Sequence, residues 1–224
     1  MMVEQIRPGH LFSQHSLNTY LRCPHRFWLK YIQRQPWPMP EEEDPRAYQE
    51  HLLRGTVFHQ WLVRRHLGMD MEPIVAACPD LELRRWWQAL QDLDESDLPQ
   101  GLREVELPLV VPLGVYSLYA RFDLLAVELG ERGAEAVVVD WKTLPSLPSL
   151  RTLRERVQTR VYLYALVTAG HVITGGAPIY PERAAMWYWF ANFPEEMVRI
   201  PYSQSAYERD GQWLRALAYE IANK

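Results

Sequence analysis

Apolar residues recur every three or four positions in the first part of the chain, which is the spacing of helices that bury one face. This pattern covers residues 12–35, 47–68 and about 80–93. We expect the first helix to be interrupted at Cys23-Pro24, with the proline in the first turn of the second piece. Residues 36–45 contain four prolines and therefore predict a loop.

From residue 103 onward the apolar period changes to two, which is the period of strands. Strands are predicted at 103–111, 115–129, 134–141, 184–191 and 196–202. A helix at 151–170 separates the third strand from the fourth, and a helix at 205–222 closes the chain. This order predicts an α/β fold with a mixed central sheet flanked by helices, in which the first three strands form an antiparallel meander.

Length and composition predict one integrated domain, with an N-terminal helical region over 1–100 and an α/β core over 101–224. The 224 residues are 48% hydrophobic and 23% charged, as in ordinary globular proteins with a buried core. No apolar run approaches the roughly 20 residues that cross a bilayer, and the N-terminus lacks the apolar segment of a signal peptide. We therefore expect a cytoplasmic protein without a membrane partner.

The distribution of charge leaves the partner open. The formal charge of −4 argues weakly against a partner bound through its phosphates. However, Arg26, Lys30 and Arg34 recur every fourth residue and would share one helix face. A second basic cluster, residues 151–160, holds four arginines and a single acid. A solvated surface explains these patterns as well as a nucleic-acid interface does.

Candidate chemistry appears in the stretch VVVDWKTLP, residues 137–145, where an apolar strand ends in an acid and a base. Side chains two apart share a strand face, so Asp140 and Lys142 project together; alone, such a pair is usually a surface ion pair. Asp123 interrupts a neighbouring apolar strand, where a buried carboxylate is costly unless it meets a cation. The two carboxylates could together bind a divalent metal, and the ammonium could orient a water or stabilise charge on a phosphate, which predicts metal-assisted phosphodiester hydrolysis.

These residues resemble a known motif. Asp123 followed by Asp140-Trp141-Lys142-Thr143 resembles the core motif of the PD-(D/E)XK nuclease superfamily, and in particular its RecB-like branch, which includes CRISPR-adaptation exonucleases. Four further stretches resemble motifs of that branch in the same order: LNTYLRCPHRFWLKYI (17–32), RGTVFHQWL (54–62), ARFD (120–123) and QTRVY (158–162). The resemblance covers about residues 12–170 and implies a restriction-endonuclease-like core.

The resemblance also implies roles for individual residues. The metal ligands would be His59, Asp123, Asp140 and the backbone carbonyl of Trp141. The catalytic set would be Asp123, Asp140, Lys142, Gln158 and Tyr162, and Glu106 resembles a further glutamate near the site. Contacts to the nucleic acid would come from Arg151, Arg154, Arg160 and Tyr162. His59 and Tyr162 could equally be core residues and Gln158 a surface residue, while Trp37 in the proline-rich loop could stack on a base or anchor the loop.

The implied function is a metal-dependent deoxyribonuclease, an exonuclease on single-stranded DNA or DNA ends, in DNA repair, recombination or defence. Mg²⁺ or Mn²⁺ would be the cofactor, and an imidazole ligand favours Mn²⁺. Some relatives bind an iron–sulfur cluster, but Cys23 and Cys78 cannot supply its four cysteines. The chain has no helicase phosphate loop, so a helicase or integrase partner would be a separate polypeptide. The alternatives are a nuclease-like DNA-binding or assembly subunit without turnover and an enzyme acting on a small phosphate ester.

Overall fold

The computed structural model describes residues 6–35 and 45–224, and side chains within these ranges except at 45–48. The predicted loop up to residue 44, including Trp37, lies outside the described residues. The described part contains a mixed six-stranded sheet with helices on both faces, which confirms the predicted fold class. No helix in these ranges combines the length and apolar character needed to cross a membrane.

The strands of the sheet are β1 Leu11–Ser13, β2 Leu102–Leu113, β3 Tyr116–Gly130, β4 Gly133–Lys142, β5 Ile179–Phe190 and β6 Val198–Pro201. β2, β3 and β4 form the predicted antiparallel meander, β5 runs parallel to β4, and β6 runs antiparallel to β5. β1 pairs in parallel with residues 117–119 of β3, on the edge that β4 occupies from residue 124 onward. Residues 120–123 therefore lie in a fork where β1 and β4 diverge along β3.

The helices are α1 Gln14–Arg22, α2 Pro24–Phe27, α3 Pro45–His66, α4 Glu72–Ala76, α5 Leu81–Gln91, α6 Leu150–Glu155, α7 Val157–Ala169 and α8 Gln204–Ala222. A π-helix follows α2 at Trp28–Ile32, and a single 3₁₀ turn follows α7 at Gly170–Val172. α1, α7 and α8 pack on one face of the sheet, and α3 and α5 pack on the other. Two hydrophobic cores result, one on each face.

The first predicted helix begins two residues later than expected. Leu11–Ser13 is a strand because it pairs in parallel with residues 117–119 of β3, and this pairing buries Phe12 fully while Leu11 stays half exposed. The Ser13 side chain then accepts a hydrogen bond from the backbone N–H of Ser16 and caps α1. The predicted interruption at Cys23-Pro24 is confirmed, with Pro24 as the first residue of α2.

The predicted helix over 151–170 is two helices. Arg156 has φ −59° and ψ 137°, an extended conformation that ends α6 and starts α7. α7 is buried on most of its circumference because it lies between the sheet and α8. The buried hydroxyl of Thr159 stabilises the break, since it donates to the backbone carbonyl of Leu153 and hydrogen-bonds the Tyr188 hydroxyl at 2.8 Å.

Thr159→Val is expected to lower the free energy of unfolding by about 1–3 kcal/mol, because the shape is kept while the Tyr188 hydroxyl and the Leu153 carbonyl lose a buried partner. Urea unfolding followed by circular dichroism measures this loss. Thr56→Val is the matched control, since the Thr56 hydroxyl bonds a backbone carbonyl on an exposed helix surface. Equal stability of the two variants would contradict a structural role for the Thr159 hydroxyl.

Candidate active site

Three carboxylates form a row across β2, β3 and β4. The pairs on either side, Val105 with Leu124 and Leu107 with Phe122, place Glu106 opposite Asp123. The last pair between β3 and β4 is Leu124 with Val139, so Asp123 and Asp140 come next on their strands. The register of the sheet therefore assembles this acidic row, defined as Glu106, Asp123 and Asp140, from residues that are 17 or more positions apart.

The backbone is irregular at this row. Glu106 has φ +50°, in the left-handed region that residues other than glycine rarely adopt and that costs about 1–3 kcal/mol. Alternation reverses there: Val105 packs against the α3 and α5 core, and Leu107 packs against the α7 and α8 core. Phe122 and Leu124 divide between the two cores in the same way on β3. The side chains of the row can therefore meet groups from both helical layers.

From the α3 layer comes His59. One ligand atom each of His59, Glu106 and Asp123 lies within 4.8 Å of the others, and His59 Nδ1 lies 3.6 Å from Asp123 Oδ2. The preceding residue, Phe58, is fully buried and stacks on Trp189 of β5. This packing holds α3 against the sheet and places the imidazole beside the row.

From the α7 layer comes Gln158, which joins the acid and the base at the end of β4. Its Nε2 donates to Asp140 Oδ1 at 2.5 Å, and its Oε1 accepts from Lys142 Nζ at 2.9 Å. Lys142 Nζ also lies 2.5 Å from Asp140 Oδ2. Asp140 is only 1% exposed, and the ammonium and the amide offset the cost of burying its charge. Gln158 thereby fixes the position of the ammonium relative to the carboxylate.

Trp141 connects the row to His59. Its backbone N–H donates to Asp123 Oδ2 at 3.2 Å, a bond that replaces the ladder where β3 and β4 separate. The His59 imidazole also interacts with the Trp141 backbone. The Trp141 indole is buried and meets the Trp189 ring edge-on, which anchors this end of the strand. The main chain of Trp141 is therefore rigidly placed beside the row.

The electrostatics of the row favour a bound cation. Burial, and then the charge of Asp140, raise the pKa of Asp123 well above its usual range. Burial lowers the pKa of His59, against the opposing effect of Asp140, so the imidazole is neutral near pH 7 and can donate its lone pair. A divalent cation would remove the repulsion between the carboxylates.

The donor set fits a divalent metal. Ligand atoms that share one cation at about 2.0–2.6 Å are at most about 5 Å apart, and those of His59, Glu106 and Asp123 meet this limit. Asp140 Oδ2 is buried and, despite its ion pair with Lys142, has no hydrogen bond among the described residues. Carboxylate oxygens with one imidazole suit Mn²⁺ and, with less nitrogen affinity, Mg²⁺.

Of the residues predicted to contact nucleic acid, Tyr162 lies next to the site, whereas the three arginines lie away from the acidic row. Tyr162 is buried one helical turn after Gln158, meets Phe122 edge-on, and accepts a hydrogen bond from Gln14 Nε2 at 3.0 Å. Arg160 faces α8 instead, with its guanidinium over the Trp213 ring at 4.7 Å and 3.8 Å from Asp210. Arg151 and Arg154 are exposed on α6, where Arg151 pairs with Glu155. Tyr162 adjoins the site, whereas Arg160 is occupied elsewhere.

Two residues near the site have weak sequence signals. Glu106 is indicated only by the family resemblance, because no local pattern separates it from Glu104 of the same strand, and its strained backbone is visible only in the fold. Gln14 contacts Tyr162 across 148 positions of the chain, so no sequence spacing indicates it.

Fold and site together define the class: a mixed-sheet α/β protein with an acid on one strand and an acid–lysine pair at the end of the next, as in metal-assisted nucleases. A family model of the PD-(D/E)XK nuclease superfamily matches residues 11–224, and the chain belongs to that superfamily. The predicted superfamily is thus confirmed. Its RecB-like branch stays a prediction.

A solved structure shares the fold. The crystal structure of "Putative exonuclease" from Eubacterium rectale is similar with a TM-score of 0.55 at 10% identity, over 95% of this chain and 80% of that one. The crystal structure of SSO0001 matches over 96% of this chain and 77% of that one, with a TM-score of 0.45 at 15% identity. No curated protein matches the chain in sequence.

Asp123→Asn is expected to raise the thermal unfolding midpoint of the metal-free protein at pH 7. Folding raises the pKa of Asp123, so the protonated carboxyl favours the folded state. This stabilisation is fully present below the pKa of the unfolded state, near 3.9, and is lost as the pH rises through the pKa of the folded state. Calorimetry in EDTA between pH 5 and 8 should therefore show a steeper loss of stability with pH in the wild type than in the variant.

The control for this variant is Asp97→Asn, which changes an exposed carboxylate. It should leave the pH dependence of unfolding unchanged. Added Mn²⁺ should then stabilise the wild type and the control but not Asp123→Asn. If stability changes with pH in the same way for all three proteins in EDTA, folding does not raise the pKa of Asp123.

Proposed function

We propose that the protein is a metal-dependent deoxyribonuclease that hydrolyses phosphodiester bonds, acting as an exonuclease on single-stranded DNA or DNA ends. Membership of a nuclease superfamily supports nuclease activity in general. The observation that carries the proposal is the acidic row together with an ammonium held against it by Gln158. The fold likeness to "Putative exonuclease" is consistent with cleavage from an end. Repair, recombination and defence are the processes in which such an activity would serve.

The proposed ligands are His59, Asp123, Asp140 and the backbone carbonyl of Trp141, to which the geometry adds Glu106 as a candidate. When bound, a divalent cation supplies Lewis acidity that polarises a phosphoryl oxygen and offsets developing negative charge. Mg²⁺ and Mn²⁺ both fit the oxygen ligands, and His59 favours Mn²⁺. The superfamily supports a divalent metal in general, without selecting one.

Lys142 is proposed to act on the phosphate and the attacking water. Its side chain is 19% exposed, whereas Asp140 is almost fully buried, so a substrate could reach the ammonium. A fixed positive charge beside a phosphate stabilises the additional charge of the transition state, and its N–H groups can orient a water. The Gln158 amide keeps the ammonium in this position before substrate arrives, which reduces the cost of ordering it during the reaction.

Gln158 and Tyr162 are proposed to line the substrate path, as residues one turn apart on the same face of α7. Burial and the charges of Asp140 and Asp123 raise the pKa of Tyr162, so its hydroxyl stays neutral. The exposed guanidinium groups of Arg151 and Arg154 could contact the DNA backbone beyond the site. Arg160 is the weakest of the proposed contacts, because it is held against Trp213 and Asp210.

Lys142→Met is expected to lower kcat on single-stranded DNA by about 100-fold or more, because a group that stabilises transition-state charge is lost while the hydrophobic stem is kept. End-labelled oligonucleotides with Mn²⁺ or Mg²⁺, resolved on denaturing gels, measure the rate and show whether products shorten from one end. EDTA should abolish cleavage.

Lys224→Met is the matched control, since Lys224 is an exposed lysine at the C-terminus, paired with Glu220. It should cleave at the wild-type rate. Equal rates for Lys142→Met and the wild type would assign the activity to a contaminant. Binding of DNA without cleavage by a well-folded, metal-loaded wild type would instead favour the DNA-binding or assembly subunit.

A further inference from the structure

A cavity of about 510 Å³ lies along α1 and the π-helix and is lined mainly by polar and basic side chains. We call it the basic cavity and define it by His15, Asn18, Arg22, Arg26 and Lys30. None of its described lining residues is acidic. Such a volume is in the range of about 300–1,000 Å³ found for small-ligand sites.

The sequence of α1 separates two faces of the helix, one buried in the core and one lining the basic cavity. Leu17 and Tyr20 are buried in the core, which fixes one face of the helix. Arg22 closes α1 on the opposite side, and Lys30 follows on the π-helix, a rare form of helix that often marks functional positions. The repeat of basic residues thus continues through the break at Cys23 and lines one cavity.

The basic cavity is connected to the active site through α1. Ser13, at its rim, pairs with Tyr119 of β3, four residues before Asp123 and therefore about 13 Å along the strand. The next residue, Gln14, donates to the Tyr162 hydroxyl, and Tyr162 lies one turn from Gln158. The cavity is thus a neighbour of the row within the reach of a few nucleotides of one strand.

The electrostatic field agrees with this placement. Burial lowers the pKa of His15, and the charges of Lys30, Lys142 and Arg121 lower it further. One imidazole therefore experiences cations of both the basic cavity and the active site. Although the chain has a formal charge of −4, Lys30 of the basic cavity and Lys142 and Arg121 near the acidic row all act on this one side chain.

We propose that the basic cavity binds backbone phosphate of the DNA strand that is cleaved, one or more nucleotides away from the scissile bond; this inference rests on the proposed function. The guanidinium fork of Arg22 matches phosphate oxygens, and Asn18 and Thr19 add neutral hydrogen-bonding groups. Lys30 Nζ lies 5.4 Å from the centre of the partly exposed Tyr31 ring, which also packs against Phe27, so the ammonium is held at the wall of the cavity. The ligand considered is the single strand of the proposed function.

The test measures binding separately from cleavage. Arg22→Gln/Lys30→Gln is made in the Lys142→Met background, and fluorescence anisotropy with a labelled single-stranded oligonucleotide in EDTA gives Kd at several salt concentrations. Loss of two phosphate contacts should weaken binding at least about tenfold at low salt and reduce the slope of log Kd against log salt by about 1.4. Unfolding midpoints confirm that the variants are folded.

The matched control is Arg84→Gln/Arg199→Gln, which removes the same charge from exposed positions on α5 and β6. It should leave Kd and its salt slope close to those of the parent. Equal effects of the two double variants would overturn the proposal, because only total charge would then matter. With Lys142 intact, the cavity variant Arg22→Gln/Lys30→Gln should raise KM more than it lowers kcat.

The basic cavity could bind either an internal phosphate of the strand or a terminal one. Oligonucleotides with a 5′-phosphate, a 3′-phosphate or hydroxyl ends distinguish these two cases. A loss of affinity that is equal for all three assigns the basic cavity to internal phosphates, and a loss confined to one end assigns it to that terminal phosphate. If the wild type cleaves DNA and Arg22→Gln/Lys30→Gln binds it as tightly as its parent, the proposal that the basic cavity binds phosphate is refuted and the nuclease proposal stands. Weakened binding in that variant, with no cleavage by the metal-loaded wild type, would refute the nuclease proposal alone.

Discussion

Mutual repulsion of the three carboxylates is the constraint around which this molecule is arranged. Glu106, Asp123 and Asp140 occupy one row of the sheet, and water screens Asp140 and Asp123 less than Glu106, because their side chains are 1%, 18% and 33% exposed. Their partners differ: Glu106 pairs with Arg121 and Asp140 with Lys142 and Gln158, whereas Asp123 accepts one backbone N–H and lies beside a neutral imidazole. Asp123 is the least compensated, which makes it the natural centre of a cation site.

The two helical layers contribute different kinds of compensation. The α3 layer brings the neutral donor His59, while the α7 layer brings the amide of Gln158, which organises the charges at the end of β4. Neither layer could supply both, because each helix contacts only one face of the sheet. The irregular backbone at Glu106 allows one row to meet both layers, at a conformational cost of about 1–3 kcal/mol.

Sequence reasoning succeeded where local chemistry dominates. The period change near residue 103, the proline at Cys23-Pro24 and the acid–lysine pair at the end of β4 all have short-range signals, and the structure has the corresponding elements. It failed where distant contacts decide. β1 exists because a neighbouring strand accepts it, the helix predicted at 151–170 breaks at Arg156 because Thr159 bonds backward, and Arg160 turns to α8 because Trp213 is there. Glu106 was indicated only by the family resemblance, and the register of the sheet is what places it opposite Asp123.

The fork along β3 has a consequence for how the chain can be divided. One edge of β3 is completed by β1 near its start and by β4 toward its end, so segments more than 100 positions apart in the chain build the same edge. A fragment that began at residue 101 would expose the unpaired edge at 117–119 and would also lose the imidazole of His59. The first part of the chain thus contributes both a strand of this sheet and the imidazole that lies beside the acidic row.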